Sequence, residues 1–151
     1  MWIISLGFQS AQAATYPGRL VLLDVLGCLV WSFGFIFEAV ADWQLSRFRS
    51  DHNSSGKVMD RGLWAYSRHP NYFGESMIWW GLSLIALTDL SRLWTVVSPL
   101  VITFLLLKVS GVTLLERDIS KRRPEYQAYI RRTNAFIPWF PQKNKEQEKK
   151  E

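Results

Sequence analysis

The stretch GLWAYSRHPNYFGE (62–75) carries most of the residue types that could do chemistry in this chain. Pro70 lacks a backbone N–H and has a preset φ, so it suits the first turn of a helix and predicts a helix start near His69. The first turn of a helix presents unpaired N–H groups and a positive dipole end, and Arg68 and His69 stand beside it. The stretch therefore predicts a site that attracts anions.

Three polar residues around this helix start are spaced as if they share one helix face. Arg68 lies seven residues before Glu75 and Asn71 lies four before it. A cation, an amide and a carboxylate on a face that enters an apolar segment are costly unless they line a protein or ligand pocket. Two interpretations remain open on the residues alone. Either they line a pocket, or Arg68 and His69 are interfacial anchors while Glu75 pairs with a neighbouring helix.

Four elements of the chain, in order, resemble the signature of the steroid 5-alpha reductase family. They are an Asp followed seven residues on by Arg, a Gly-Leu-aromatic lead-in, an Asn-aromatic-x-Gly-Glu motif and a closing Ala-x-Ile-Pro. The resemblance covers about residues 38–140, which is most of the chain. This part looks like the carboxyl-terminal domain of the family, which also occurs in many bacterial proteins of undefined substrate. The elements are Asp42 and Arg49; Gly62, Leu63 and Trp64; Asn71, Tyr72, Gly74 and Glu75; Ala135, Ile137 and Pro138.

The resemblance implies a membrane reductase that uses NADPH to add hydride to a carbon–carbon double bond conjugated to a carbonyl in a lipophilic substrate. It implies that Arg49 and Lys57 contact phosphate and that Asp42 contacts a sugar hydroxyl or orients a basic side chain. Glu116 stands where human-type reductases carry a His. The implied cofactor-binding residues are Asp42, Arg49, Lys57, Arg68, His69, Asn71, Tyr72, Glu75 and Glu116.

The substrate side of such a reductase is not evident in the sequence. Family members carry a substrate-facing Tyr and Glu on further amino-terminal spans, so we expect this chain to be the cofactor-binding carboxyl-terminal half of a reductase. A missing amino-terminal half or a second subunit would supply the rest, and no catalytic residue is assigned. We expect no metal, because His52 and His69 are the only histidines and no ligand spacing surrounds them.

Two other functions stay open. The short RHPNY piece (68–72) also resembles isoprenylcysteine-type methyltransferases, which use S-adenosylmethionine, and the segment around Glu116, Tyr126 and Tyr129 is compatible with that reading. The Asp42 and Arg49 pair and the Gly-Glu motif favour reduction. The remaining alternative is a non-catalytic membrane subunit in which the polar groups merely join helices.

Apolar runs predict an all-α integral membrane bundle. Of the 151 residues, 48% are hydrophobic, and runs at about 20–40, 70–88 and 93–115 approach the roughly 20 residues that a spanning helix needs. Five Lys or Arg residues lie between 42 and 71 and ten follow 115, whereas the opposite side has only Arg19 and Arg92. By the positive-inside rule the central loop and the C-terminus are cytoplasmic, at the inner membrane if the chain is bacterial. The net charge of +5 is thus a topology signal, and we expect no nucleic-acid partner.

The segment after the third run predicts a cytoplasmic helical region at 116–141, which completes a single membrane domain at 1–141. Within it the stretch AFIPWFP (135–141) is apolar, and we expect it to tuck into the helix bundle. Residues 142–151 are charged and low in apolar content, so we expect a disordered tail.

Overall fold

The computed structural model describes residues 22–87, 90–109, 112, 116, 119 and 125–142. This part of the chain is built from helices and contains no strand, which confirms the predicted all-α class for the residues it covers. The α-helices are α1 (Leu22–Ser50), α2 (Pro70–Ala86), α3 (Val97–Phe104) and α4 (Tyr126–Arg132). Between them lie 3-10 helices at His52–Ser54, Gly62–Ala65 and Leu90–Val96, and a short π-helix at Leu105–Val109 continues α3.

Helices α1 and α2 pack antiparallel through glycines spaced seven residues apart. A Cβ added to Gly27 would lie 2.8 Å from the Gly81 carbonyl oxygen, and one added to Gly34 would lie 2.7 Å from that of Gly74. Seven residues are close to two helical turns, so each set of glycines lies on one face of its helix. Ala41 continues the set on α1 and is fully buried. The absence of side chains lets the two backbones approach closely, which is a common way for helices to associate in lipid.

Two helical segments in the described part are long and apolar enough to cross a bilayer. They are Leu22–Ser50 and Arg92–Val109. The second combines most of the 3-10 helix at Leu90–Val96 with α3 and the π-helix. The predicted middle span corresponds to α2, which has 17 residues and is about 26 Å long, somewhat short of the roughly 30 Å hydrocarbon core. The described part of the chain therefore has two helices of spanning length, whereas the sequence predicts three. Residues 110–111 and 113–115 of the third run lie outside the described residues.

The carboxyl-terminal segment is tied back to the residues that precede α2. The Arg68 amide donates to the Asn134 carbonyl at 2.9 Å, the Trp139 amide donates to the Tyr66 carbonyl at 2.9 Å, and the Ser67 hydroxyl donates to the Phe136 carbonyl at 2.8 Å. These bonds fix the backbone of 133–142 against 62–68. The predicted disordered tail lies outside the described residues, apart from Gln142.

The prediction that AFIPWFP is buried in the bundle is wrong for three of its largest side chains. Ile137, Trp139 and Phe140 are all exposed, and Phe136 alone among its aromatic rings packs on α2, with its centroid 5.8 Å from that of Phe73. The reason is that an apolar side chain is equally compatible with a protein core and with a surface that water does not reach.

Candidate cofactor-binding cleft

A cleft of about 790 Å³ opens where the carboxyl end of α1 meets the start of α2. Its walls come from α1, from the loop that follows it, from the start of α2 and from α4, and its volume falls in the range of small-molecule and cofactor sites. The local sequence explains the meeting point. His69 is the N-cap residue and Pro70 occupies the first turn, so α2 begins where the sequence predicts.

Seven of the nine predicted cofactor-binding residues line this cleft although they come from three separate segments. The two that do not are Glu75, which lies farther along α2, and Glu116, which pairs with Arg68 and His69. The seven are Asp42, Arg49, Lys57, Arg68, His69, Asn71 and Tyr72.

Asn71 joins the two main helices at the cleft and keeps one polar atom without a partner. Its Nδ2 donates to Asp42 Oδ1 at 3.0 Å. Because a carboxylate only accepts hydrogen bonds, this contact fixes the orientation of the amide and turns Oδ1 away from Asp42. Among the described residues, Asn71 Oδ1 is buried with no hydrogen-bond partner. A buried acceptor of this kind is costly unless a ligand or an ordered water satisfies it.

Besides Arg68, two cationic side chains line the cleft. Arg49 lies in the last turn of α1 and Lys57 lies on the loop that forms another wall. In the described part of the chain, no hydrogen bond or ion pair engages the Arg49 guanidinium. Arg49 is thus available to an anionic ligand, and its planar fork of donors suits a phosphate.

Carboxylates gather beside the amide. Glu38, Asp42 and Glu75 lie close enough for their charges to interact, on the facing sides of α1 and α2. Within the described residues, no group of three or more His, Cys, Asp or Glu side chains is arranged to hold a metal ion. Of these groups only Asp42 lines the cleft, so the acceptors at its helix junction are the Asp42 carboxylate and Asn71 Oδ1, with cations on its α1 end and loop.

Arg68, His69 and Glu116 form a separate charge cluster. Arg68 Nε and Nη2 donate to the two oxygens of Glu116 at 2.7 and 3.0 Å, and His69 Nε2 lies 3.0 Å from Glu116 Oε1. Arg68 Nη1 also donates to the carbonyls of Ile130 and Thr133. Burial of Glu116 acts to raise its pKa, but the hydrogen bonds and charges of His69 and Arg68 outweigh it, so the pKa of this carboxyl lies below its ordinary value.

The cluster changes the reading of three predicted residues. Of the five N–H donors of Arg68, four are used by Glu116 and by backbone carbonyls, so little remains for a phosphate. Arg68 also precedes α2, which begins at Pro70, so it does not share a helix face with Glu75 as its spacing predicts. It turns instead toward Glu116 and the end of α4. His69 faces the same carboxylate while its ring stacks on Tyr72, with centroids 5.4 Å apart.

Tyr126 and Tyr129 also line the cleft, although the sequence connects them only with the methyltransferase alternative. The Tyr129 hydroxyl donates to the Trp64 carbonyl, and the Ser67 carbonyl is 3.3 Å away. Burial raises the pKa of Tyr129 and raises that of Tyr126 to about 12, so both phenols stay neutral at ordinary pH. The only sequence signal was their spacing of three residues, which puts two aromatics on one helix face.

The fold and the cleft define a helical protein with membrane-competent helices and a ligand-sized cleft at their junction. Residues 1–133 match the family described as "Protein of unknown function (DUF1295)", and the chain belongs to this family. It is also similar to the Delta(14)-sterol reductase erg24B of Aspergillus fumigatus, with 29% identity over 99 residues, which cover 56% of this chain and 19% of that protein. The chain thus spans about a fifth of the length of this curated relative. No solved structure matches it. The similarity is consistent with the resemblance to steroid 5-alpha reductases.

Proposed function

We propose that this chain is the cofactor-binding part of an NADPH-dependent membrane reductase that acts on a carbon–carbon double bond of a lipophilic, enone-type substrate. Three findings support the proposal: the similarity to a sterol reductase, two helices of spanning length, and a cleft that combines cations with hydrogen-bond acceptors. In this proposal the loop after α1 and the carboxyl-terminal segment face the cytoplasm, where NADPH is available.

The observation that carries the proposal is the buried, unpartnered Oδ1 of Asn71 in a cleft that also contains Arg49 and Lys57. A reduced nicotinamide dinucleotide carries both anionic groups and hydrogen-bond donors. Its phosphates match the cations, and its carboxamide and ribose hydroxyls are donors for Asn71 Oδ1 and for the Asp42 carboxylate. The residues present therefore fit the group.

When bound, NADPH supplies a hydride to one carbon of the double bond, and a proton added to the other carbon completes the reduction while NADPH becomes NADP⁺. The residues of this chain bind and orient the dinucleotide. Arg49 and Lys57 hold phosphate, Asp42 and Asn71 hold donor groups, and Tyr72 forms part of the wall beside them. The groups that bind the substrate and deliver the proton belong, in this proposal, to further spans or to a second subunit.

The experiment compares two neighbouring arginines of α1 in purified protein in nanodiscs. Arg49 lines the cleft, whereas Arg47 lies outside it, with its guanidinium 5.6 Å from the ring centroid of Trp43. We expect Arg49→Gln to raise the Kd for NADPH about 10- to 100-fold, because a hydrogen bond to a charged group contributes roughly 1.5–3 kcal/mol. Arg47→Gln is the matched control and should bind NADPH as the wild type does.

Two results would contradict the proposal. The first is saturable binding of S-adenosylmethionine in place of NADPH, which would favour the methyltransferase alternative. The second is the absence of saturable binding of either cofactor by folded protein, which would favour a non-catalytic subunit whose polar groups join helices.

A further inference from the structure

The last described segment of the chain presents an exposed apolar ridge made of Tyr66, Ile137, Trp139 and Phe140. The exposed fractions are 41% for Tyr66, 63% for Ile137, 66% for Trp139 and 75% for Phe140. Tyr66 and Phe140 are in edge contact, with ring centroids 6.0 Å apart, and Trp139 adjoins Phe140 at 6.5 Å. Large apolar groups that cluster on a surface indicate a contact with something other than water.

The backbone under this ridge is fixed. Trp139 donates its amide to Tyr66, Ser67 donates its hydroxyl to Phe136, and the Gln142 amide donates to the Arg132 carbonyl at 2.8 Å. The ridge is therefore preorganised, so little ordering entropy is lost when a partner covers it.

A chain of aromatic contacts connects the ridge to the outer face of α1. Phe136, next to the ridge, packs on Phe73 at 5.8 Å, Phe73 packs on Phe37 at 5.6 Å, and Phe37 packs on Phe33 at 5.5 Å. Phe33 is half exposed and belongs to a stripe of exposed apolar side chains on one face of α1. The ridge is thus continuous with the surface that faces lipid in the proposed membrane protein. The other members of the stripe are Leu29, Ile36 and Val40.

The depth of the ridge along α1 agrees with a position at the membrane boundary. The exposed apolar residues of α1 end at Trp43, an aromatic of the type enriched at membrane interfaces. Phe37, at the level of the Phe73 and Phe136 contact, lies six residues before Trp43, which is about 9 Å toward the apolar side. A neighbouring charge also suits anionic lipid, because Arg131 is exposed.

We propose that Tyr66, Ile137, Trp139 and Phe140 form an interfacial anchor that inserts into the lipid leaflet at the carboxyl end of α1. The anchor rests on the membrane insertion that is part of the proposed function, but it does not depend on the cofactor. Trp64 lines the cleft while Tyr66, two residues later, joins the ridge, so the segment 62–69 separates the cleft from the lipid. The anchor thereby sets the height of the cleft relative to the bilayer surface.

Spin labelling in lipid vesicles tests the anchor. Cys28 is the only cysteine, so Cys28→Ala provides a background in which single cysteines are introduced as Phe140→Cys, Leu29→Cys and Asn53→Cys. All three positions are exposed, on the ridge, on the outer face of α1 and on the loop after α1 respectively. The accessibility of each label to oxygen and to a water-soluble nickel chelate is measured in vesicles of phosphatidylcholine and phosphatidylglycerol.

We expect the labels at 140 and 29 to favour oxygen over the nickel chelate several-fold relative to the label at 53, with 140 shallower than 29. A water-accessible label at 140 with a lipid-accessible label at 29 would overturn the anchor and leave the membrane insertion standing. Water-accessible labels at 140 and at 29 would overturn the anchor and the membrane insertion together. Protection of 140 from both reagents, with spin–spin broadening that disappears on dilution with unlabelled protein, would show a second copy on the ridge and would also overturn the anchor.

Discussion

Polar and charged side chains lie on two sides of the start of α2, and they differ in whether they have hydrogen-bond or ion-pair partners. On one side Arg68, His69 and Glu116 satisfy one another, and backbone carbonyls take further Arg68 donors. On the other side, no described residue engages the Arg49 guanidinium or gives a hydrogen bond to the buried Asn71 Oδ1. Side chains that already have their partners hold the fold, whereas those that lack them are where a ligand is expected.

This contrast assigns different roles to residues that are close in sequence. Arg68 and Asn71 are three positions apart and both line the cleft, yet Arg68 uses its donors to hold Glu116 and the end of α4, whereas Asn71 keeps an unpartnered acceptor among the described residues. A cation beside a helix N-terminus is therefore not by itself an anion-binding site. Its donors must also be free, and the carboxylate that uses them can come from a distant part of the chain.

The largest effect is expected from removing the carboxylate of the satisfied side. Glu116→Ala leaves Arg68, whose side chain is 10% exposed, without its bidentate partner. We expect the free energy of unfolding to fall by about 3 to 5 kcal/mol, because an uncompensated buried charge remains. Chemical unfolding in mild detergent, followed by circular dichroism, measures the change. Glu125→Ala removes an exposed carboxylate next to α4 and is the matched control, and equal losses for both variants would contradict the contrast.

A smaller effect, on binding and not on folding, is expected on the unsatisfied side. Asn71→Leu removes the unpartnered acceptor at similar volume, so NADPH should bind about tenfold more weakly. It also removes the exposed hydrogen bond to Asp42, but relief of the buried acceptor offsets this loss, so the free energy of unfolding should change by less than about 1 kcal/mol. Fluorescence titration of NADPH together with the same unfolding measurement separates the two quantities. Asn53→Leu alters an exposed amide that does not line the cleft, and it should change neither.

The Tyr129 hydroxyl is expected to contribute less than the ion pair. Tyr129→Phe leaves the Trp64 carbonyl without this donor, and we expect a loss of about 1 kcal/mol in the free energy of unfolding. Tyr126→Phe is the matched control, since among the described residues no hydrogen bond reaches the Tyr126 hydroxyl. A loss in Tyr126→Phe as large as that in Tyr129→Phe would show that the hydroxyl bond is not the cause.

The smallest effect is a pH dependence that comes from Glu116. Its pKa in the folded chain lies below the ordinary value of 4.5, so the stability it contributes is present above pH 4.5 and is lost as the pH falls through the folded pKa. Unfolding measured between pH 6 and pH 3 should show this loss in the wild type and a shallower decline in Glu116→Gln. Parallel profiles for the two proteins would contradict the assignment.

The sequence predicted the helix start at Pro70 correctly because proline chemistry is local. The resemblance to steroid 5-alpha reductases, and not spacing, identified the distant segments that meet in the cleft, from Asp42 to Tyr72. The pairing of Arg68 with Glu116 could not be predicted, because side chains 48 residues apart meet only through the tertiary fold. The exposure of Trp139 was missed because a hydrophobic pattern marks an apolar surface without saying whether protein or lipid covers it.

The two helices can approach closely beside the cleft because Gly34 and Gly74 lack side chains. Their contact lies about two turns before Asp42 on α1 and one turn after Asn71 on α2, and we infer that it is a pivot between the facing walls. An alanine at Gly74 would place its Cβ 2.6 Å from the Glu38 backbone nitrogen, and the helices would have to part. The Asp42 to Asn71 hydrogen bond, just beyond this pivot, would lengthen with them. Evolution or an engineer could therefore retune what the cleft accepts by changing a residue that never touches the ligand.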